Sequence, residues 1–415
     1  GAGSPVNRVD YSNDTATASQ KGVITNGKDS GSASSTTHGY FAGGAPGGKS
    51  TISRLDYSND TANSSPKGLL TANTSHLCGT SSRENANPLQ SVQPASTVRE
   101  NVAPQGTDFG YFGGGYGNFG PYLSTVDRVD YNNDTATASP KGPLTVARTH
   151  MGATGNADFG YFAGGGNPSS TSIIERIDYG NDTATVSLKG NLTSVKTHLG
   201  ATGNSDFGYV SDKSGGTFSK IERIDYSNDT ATALERGNLT ISRARIAATG
   251  NTSFGYFGGG QHYVNGNYST VDRLDYSNDT ANAVAKGPLT LAASDRGATG
   301  NASFGYWAGA SGPKSTVDRL DYSNDTAAAT TKGPLANSAL SVAATGNTSF
   351  GYFGGGTSPT ISSISRIDYS NDTPTAAAKG PLSSVRSQGS ALSPRANAIP
   401  LKGPGNLEVS VAFGN

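Results

Sequence analysis

Short runs of apolar and β-branched residues alternate with glycine-rich and polar turn residues along nearly the whole chain. Between Ala153 and Leu192, the run FGYFAGG ends in glycines, TSIIERIDY follows a variable loop, and TATVSLKG follows the turn Gly180-Asn181-Asp182. Short runs bounded by turn-forming residues are typical of β-strands, and such turn residues suit a tight hairpin. No window of ten or more residues keeps the 3.6-residue period of an amphipathic helix. The pattern predicts an all-β protein with four short strands in each unit.

The same unit recurs along the chain. The string DY-x-N-D-T occurs eight times, and most copies lie 46 to 50 residues apart. A repeat of about 47 residues that holds four strands is typical of a β-propeller blade. Eight copies predict eight blades, with seven as the alternative, in a single domain over 1–415. The repeated tyrosines are Tyr11, Tyr57, Tyr131, Tyr179, Tyr226, Tyr276, Tyr322 and Tyr369.

Two segments depart from the regular repeat. The sequence begins at a strand-three segment and ends with LEVSVAFGN, an unmatched strand. We expect this C-terminal strand to dock beside the first one and close the ring, which would leave no open edge. The longest interval between repeats holds an irregular insertion, 79–106, within the third unit. Its Pro, Asn, Gln and Ser content is typical of a docking arm or a flexible loop.

The glycine pairs that end one strand and the tyrosines that end the next resemble Kelch-type propeller repeats. The pairs are Gly113-Gly114, Gly164-Gly165, Gly258-Gly259 and Gly354-Gly355, and the tyrosines are Tyr131, Tyr179, Tyr276 and Tyr369. The Kelch tryptophan of strand four is absent, because Ala or Thr takes its place and the sole tryptophan, Trp307, lies in the run FGYW. The strings VDRLDYSNDTA, KGPLT and AATGNTSFGYFGGG also resemble repeats of virion structural and tail-fibre-like proteins of marine cyanobacterial phages. That resemblance implies a structural component of a phage particle.

Charge composition excludes some partners. Lys and Arg together number 31, Asp and Glu also number 31, and the formal net charge is +0. Nucleic acids and anionic membrane surfaces require clustered basic charge, so neither is an expected partner. No apolar run reaches the roughly 18 to 20 residues that span a bilayer, so we expect no membrane insertion. Much of the balance comes from Arg and Asp in strings such as VDRVDY, which predict ion pairs between blades. The alternative is a ring of arginines that binds an anionic ligand.

Two repeated polar motifs could bind a metal ion. The Asn-Asp pairs of the NDT strings predict turns with side-chain-to-backbone hydrogen bonds, and calcium binding is the alternative. His76, His150 and His198 recur at one position of the unit. Neighbouring blades would hold them about a blade apart, too far to share an ion, so we expect packing or solvent exposure. The sequence predicts neither a metal site nor a cofactor.

The loops between strands two and three differ from unit to unit, whereas the turn between strands three and four is nearly invariant. In a propeller, the variable loops share one face of the disc with the connections from strand four to the next strand one. Loops that vary on a rigid scaffold commonly carry recognition. Two of them place aromatic rings beside amides, which suits a sugar or a protein epitope, although the rings could instead cap the blades or contact a neighbouring virion subunit. The candidate binding residues are Tyr116, Asn118, Phe119, Tyr122, His262, Tyr263, Asn265, Asn267 and Tyr268.

Catalytic motifs are absent from the sequence: it has no Gly-x-Ser-x-Gly elbow, no HExxH helix and no phosphate-binding loop. We therefore expect a non-enzymatic virion structural protein, located in a fibre, spike or decoration position. Its expected partners are other virion proteins or a glycan or protein of the host cell surface, and association into a homo-oligomer is left open. The alternative is a secreted or cell-surface lectin-like propeller that binds glycans.

Overall fold

A computed structural model describes the chain in several segments, namely residues 4–9, 15, 17–25, 30–35, 37–45, 47–74, 109–118, 120–212 and 220–394. The chain divides into two compact units, 1–99 and 100–415, whereas the repeats predicted a single domain. The predicted insertion at 79–106 and the predicted closing strand LEVSVAFGN lie outside the described residues. Among the described residues, no helix has the length and hydropathy needed to cross a membrane.

The described residues of the first unit form two antiparallel sheets. Strands β1 (Ser4–Arg8) and β2 (Ser19–Ile24) form one sheet, and the other has four strands in sequence order. Between the two sheets, Arg8 donates a hydrogen bond to Asp60 at 2.8 Å. The four strands are β3 (Gly31–Ser34), β4 (His38–Ala42), β5 (Lys49–Asp56) and β6 (Ser65–Thr74).

The described part of the second unit contains six larger antiparallel sheets, which we number 1 to 6 along the chain. Sheet 1 contains β7 (Phe109–Gly113), β8 (Val126–Asp130) and β9 (Ser139–Pro140). Sheet 2 contains β10 (Gly152–Gly155), β11 (Phe159–Ala163), β12 (Gly166–Asn167), β13 (Ser169–Asp178) and β14 (Ser187–Lys196). Sheet 3 contains β15 (Gly200–Gly203), β16 (Phe207–Asp212), β17 (Lys220–Asp225) and β18 (Leu234–Asn238).

Sheets 4 to 6 repeat this strand order. Sheet 4 contains β19 (Ala247–Gly250), β20 (Phe254–Gly258), β23 (Val271–Asp275) and β24 (Val284–Lys286), and its variable loop forms a hairpin of β21 (Gln261–His262) and β22 (Gly266–Asn267). Sheet 5 contains β25 (Gly297–Gly300), β26 (Phe304–Ala308), β27 (Val317–Asp321) and β28 (Thr330–Lys332). Sheet 6 contains β29 (Ala343–Gly346), β30 (Phe350–Gly354), β31 (Ile364–Asp368) and β32 (Ala377–Lys379).

A strand from the end of the described chain completes sheet 1. Strand β33 (Ser390–Leu392) pairs with β7, and Ser390 lies opposite Gly113. Sheet 1 thereby joins the first and last described strands of the second unit, and its order becomes β33-β7-β8-β9.

In each of sheets 1 to 6, the aspartate of the NDT string links neighbouring sheets. Asp229 of sheet 3 accepts hydrogen bonds from two residues of sheet 2, from Tyr161 Oη at 3.0 Å and from Arg176 Nη1 at 2.7 Å. Lys189 Nζ, also from sheet 2, lies 3.3 Å from the same carboxylate. The equivalent arginine–aspartate pairs are Arg128–Asp182, Arg223–Asp279, Arg273–Asp325, Arg319–Asp372 and Arg366–Asp134.

The last of these pairs joins sheet 6 to sheet 1, since Arg366 Nη1 lies 2.7 Å from Asp134. Within the described part of the second unit, the contacts therefore return from sheet 6 to sheet 1. Antiparallel four-stranded sheets that follow one another in this way have a propeller-like arrangement. The predicted Arg–Asp pairs between sheets are confirmed, but the partner is the aspartate of NDT, not one within VDRVDY.

The turn that carries this aspartate differs from the expected tight hairpin. Residues Tyr131–Asn133 form a 3-10 turn, and Asp130 caps it by accepting a hydrogen bond from the Asn132 amide at 2.9 Å. The side-chain-to-backbone bond thus belongs to the aspartate before the tyrosine. The aspartate of NDT, Asp134, follows the turn and binds the neighbouring sheet, so its predicted role within the turn is wrong.

Apolar packing fills the space between adjacent sheets. Between sheets 2 and 3, Tyr161, Val210 and Ile224 belong to one buried cluster, and the ring of Tyr161 stacks on that of Tyr226 with centroids 4.8 Å apart. The adjacent Gly208 is necessary here, because a Cβ at this position would lie 2.6 Å from the Thr154 methyl carbon. This close approach explains why the strand reads FGY.

A second set of ion pairs is fully buried. Arg148, in the connection that leads into sheet 2, lies 2.5 Å from Glu175 of strand β13, and both side chains are almost inaccessible to solvent. Sheet 6 has uncharged residues in these two places, Ala339 and Ser365, both of which are buried. The equivalent charged pairs are Lys196–Glu222, Arg243–Asp272, Arg296–Asp318 and Arg386–Asp127.

Replacing a linking aspartate is expected to destabilise the second unit strongly. In Asp229→Ala, the buried ends of Tyr161, Arg176 and Lys189 lose their shared acceptor, and we expect the free energy of unfolding to fall by about 3 kcal/mol. Chemical denaturation monitored by tyrosine fluorescence measures this loss. The matched control is Glu235→Ala, which removes an ion pair with Lys220 whose side chains are 46% exposed, and which should cost under about 1 kcal/mol. Equal losses in the two variants would contradict the role of Asp229.

Sheet 6 allows a charge to be added instead of removed. Ser365→Asp places a carboxylate in a site without a cation, and we expect it to cost about 3 kcal/mol. Adding Ala339→Arg supplies the missing partner, so the double variant should recover at least about 1 kcal/mol of that loss. A double-mutant cycle in urea measures the coupling, and a double variant no more stable than the sum of the single changes would refute the equivalence.

Candidate functional site: the axial mouth

Six residues, one in each connection between successive sheets, adopt a left-handed backbone conformation with φ between 54° and 61°. None is glycine, and this conformation costs an L-residue roughly 1–2 kcal/mol. We call these residues the axial ring: His150, His198, Arg245, Asp295, Ser341 and Gln388.

The axial ring is closed by backbone hydrogen bonds. The amide of His198 donates to the carbonyl of His150 at 2.9 Å, and the amide of His150 donates to the carbonyl of Gln388, also at 2.9 Å. The other four amides donate in the same sense to the preceding member, at 2.8 to 3.4 Å. These bonds offset the conformational cost and fix the direction of each side chain. The backbone is nearly sixfold symmetric, whereas the side chains differ.

Two histidines of the ring lie against each other, with ring centroids 3.8 Å apart. Burial, with smaller contributions from the charges of His198 and Arg245, lowers the pKa of His150 to about 3. Burial and Arg245 lower the pKa of His198 to about 4. The expected separation of about a blade is therefore wrong for this pair, since the connections converge at the axis. His76 lies outside the described residues.

The two charged members of the ring neutralise each other. Arg245 Nη1 lies 3.0 Å from both carboxylate oxygens of Asp295. Asp295 also accepts a hydrogen bond from Ser294 Oγ at 2.9 Å. All six ring residues line a small cavity of about 70 Å³. Its centre is thus polar without carrying an uncompensated charge.

The variable loops lie on the same face as the axial ring. Tyr116, in the loop between β7 and β8, exchanges two backbone hydrogen bonds with Ser387, the neighbour of Gln388. Gly166 and Thr149 are paired in the same way between sheet 2 and its preceding connection. The predicted assignment of both kinds of loop to one face is confirmed for these residues.

A larger cavity of about 370 Å³ opens beside the ring. The Tyr116 and Tyr122 rings, which meet edge to face at 5.3 Å, line it, as do the paired histidines His150 and His198. Cavities of this size are common for small ligands. The lining residues are Tyr116, Tyr122, Thr149, His150, Gly166, Pro168, Thr197, His198 and Gln388.

Only part of the predicted binding set reaches this cavity. Tyr116 and Tyr122 line it, Asn118 is exposed on the same loop, and Phe119 lies outside the described residues. His150, His198 and Gln388 also line the cavity but were not among the predicted binding residues. The connections that contain these residues do differ from unit to unit at these positions, which was the available signal.

The second predicted group lies elsewhere on this face. It belongs to the β21–β22 hairpin of sheet 4, and sheets 2 and 3 separate sheet 4 from sheet 1 along the chain. His262 Nδ1 accepts hydrogen bonds from the amides of Val264 and Asn265, so its ring holds the hairpin turn. Asn267 Nδ2 donates to Ser311 Oγ at 3.2 Å. Tyr263 is 67% exposed, and Tyr268 is half-buried.

The space along the axis becomes narrower beyond the axial ring. An alanine from the first strand of each sheet lines a cavity of only about 50 Å³. A small-molecule ligand could therefore fit beside the axial ring but not farther along the axis. The six alanines are Ala153, Ala201, Ala248, Ala298, Ala344 and Ala391.

Metal binding was the alternative for the histidines and for the NDT strings. Within the part of the chain that the structure describes, no group of three or more His, Cys, Asp or Glu side chains is arranged to hold an ion. The NDT carboxylates of sheets 1 to 6 are engaged by the tyrosine, arginine and basic side chains of the preceding sheet, as at Asp229.

Comparisons with known proteins concern the fold alone. No family model matches the sequence, and no curated protein matches it. Among solved structures, the structure of YjhT is similar, with a TM-score of 0.50 and 10% sequence identity, over 60% of this chain and 88% of that chain. At this level of identity, the likeness carries no statement about function.

The histidine pair predicts a pH-dependent stability. Its folded-state pKa values lie below the ordinary 6.5, so the unfolded state takes up protons first as the pH falls below that value. The free energy of unfolding should therefore be highest above pH 6.5 and decrease towards pH 4. His198→Gln should remove about 1–2 kcal/mol of the decrease between pH 7 and pH 5. Denaturation at each pH measures this, and NMR signals of either imidazole titrating near pH 6.5 would contradict it.

Proposed function

We propose that residues 109–394 form a closed six-bladed β-propeller that serves as a non-enzymatic recognition module of a virion structural protein. Its variable face binds a glycan or protein of the host surface, or another virion protein. The observation that carries this proposal is the cavity of about 370 Å³ between the axial ring and the Tyr116 loop. There a rigid scaffold meets side chains that differ between repeats.

Rigidity of the scaffold supports binding by a preformed site. The backbone hydrogen bonds of the axial ring link successive connections, and the linking aspartates bind neighbouring sheets to each other. A site that is already in its bound conformation loses less entropy on binding. Tyr116 and Tyr122 supply flat, partly exposed rings with few rotatable bonds, which suit recognition for the same reason.

Acid–base catalysis has weaker support at this site. Efficient general bases have a pKa near the working pH, whereas the pKa values of His150 and His198 are about 3 and about 4. The carboxylate of Asp295, which could otherwise activate an imidazole, is held by Arg245. These features favour a binding role.

The virion location rests on the sequence resemblance to tail-fibre-like repeats. A fibre, spike or decoration position would expose the variable face to a host cell. A second candidate is a secreted or cell-surface lectin-like propeller. The same cavity and its aromatic wall, formed by Tyr116 and Tyr122, could bind a glycan in that setting equally well. Labelled antibody on intact particles, compared with uninfected cells, separates the two locations.

The attachment proposal predicts the behaviour of loop variants. Tyr116→Ala combined with Tyr122→Ala should lower binding of the purified protein to host cells at least tenfold, because the aromatic wall of the cavity is lost. Flow cytometry with fluorescent protein measures the binding. The matched control is Val264→Ser, which changes an 85% exposed residue on the sheet 4 hairpin and should leave binding within twofold. Absence of cell binding by the unmodified protein, together with absence of antibody labelling on particles, would refute the proposal.

A further inference from the structure

We propose that the cavity beside the axial ring binds an uncharged saccharide and discriminates against acidic sugars. This inference rests on the proposed recognition function and specifies its ligand class. It follows from the chemistry of the lining, from the pairing of the nearby charges and from the arrangement of the aromatic wall.

The described residues that line the cavity carry no formal charge at neutral pH. Thr149 and Thr197 offer hydroxyl groups, Gln388 offers an amide, and the two histidines offer neutral imidazole nitrogens. Hydroxyl and amide groups both donate and accept hydrogen bonds, as the hydroxyl groups of a sugar do. The lining thus matches a ligand that has many neutral polar groups.

Nearby cations are already paired. Arg245 is bound to Asp295 within the axial ring. In the connections that flank the cavity, Arg148 is paired with Glu175, Lys196 with Glu222 and Arg386 with Asp127, all with buried side chains. A ligand carboxylate or sulfate would have to lose its hydration without meeting a free cation in this part of the structure. Acidic sugars are therefore disfavoured.

The aromatic wall suits the apolar face of a sugar ring. Tyr116 is 36% exposed, and its edge-to-face contact with Tyr122 fixes the two rings at an angle. A pyranose could place its C–H face on one tyrosine and direct its hydroxyl groups towards Thr197 and Gln388. Fixed flat rings beside hydrogen-bonding groups give such a ligand both area and orientation.

Glycan binding by the full chain tests this inference. The probes are lactose and sialyllactose, followed by an array of neutral and acidic oligosaccharides of equal length at pH 7. We expect retention of at least one neutral oligosaccharide and at least tenfold weaker binding of its acidic counterparts. Preference for acidic glycans, or retention of no glycan, would overturn the inference.

Two variants locate the binding. Thr197→Val keeps the side-chain shape and removes one hydroxyl group, so it should weaken neutral glycan binding at least fivefold while leaving the melting temperature close to that of the unmodified protein. His198→Lys adds a cation and should shift the relative retention towards acidic glycans. Val264→Ser, on the sheet 4 hairpin, should change neither. Unchanged glycan binding in Thr197→Val would place the ligand elsewhere and refute the assignment.

The failure of this inference can be distinguished from failure of the proposed function. Cell binding that persists without any glycan binding, and that depends on Tyr116 and Tyr122, would retain the recognition function and assign the face to a protein partner. Loss of both cell binding and particle labelling would remove the recognition function itself.

Discussion

The six-sheet arrangement depends on one carboxylate shared between each pair of neighbouring sheets. Each NDT aspartate of sheets 1 to 6 receives a tyrosine hydroxyl, an arginine and a second basic group from the neighbouring sheet, as Asp229 does from Tyr161, Arg176 and Lys189. Burying an ion pair contributes little net stability, but removing one partner leaves the other charge buried and unpaired, which is costly. The interaction therefore sets the register between sheets more than it adds to stability. Because Arg366 meets Asp134, the same interaction determines where the series returns to its beginning.

Sequence alone predicted the elements of this interaction but not its geometry. The recurrence of Arg and Asp predicted ion pairs between blades, and the alternation of short strands and turns predicted four-stranded sheets. The sequence could not show which aspartate pairs with the arginine. In the structure, Asp130 caps the 3-10 turn, so the NDT aspartate is the one that pairs with the arginine of the neighbouring sheet. The number of repeats also could not show which sheets contact one another, since that depends on the packing between sheets, such as Tyr161 on Tyr226.

The buried ion pairs show how nearly identical repeats accommodate differences. In sheet 5, the position equivalent to Arg148 is Ala293, and the cation comes instead from Arg296, three residues later, which reaches Asp318 at 2.9 Å. In sheet 6, both charges are replaced together, by Ala339 and Ser365. A buried charge without a partner is costly, so the two positions vary as a pair. This pair of buried positions thus stays electrostatically neutral in sheets 1 to 6, even though individual residues change.

The candidate site arises where this repetition ends. At the axis, six equivalent backbone positions are fixed by the same hydrogen bonds, so neighbouring side chains are held close together whatever their identity. Comparing the repeats in sequence did not show that these positions are equivalent, since residues as different as His150, Asp295 and Gln388 share no motif. The tyrosines of sheet 1 were recognised because their loop is long and aromatic, whereas the histidines were expected to lie far apart. A symmetric scaffold with different side chains at each mouth position can provide one asymmetric pocket, beside sheet 1, without any change in the fold that supports it.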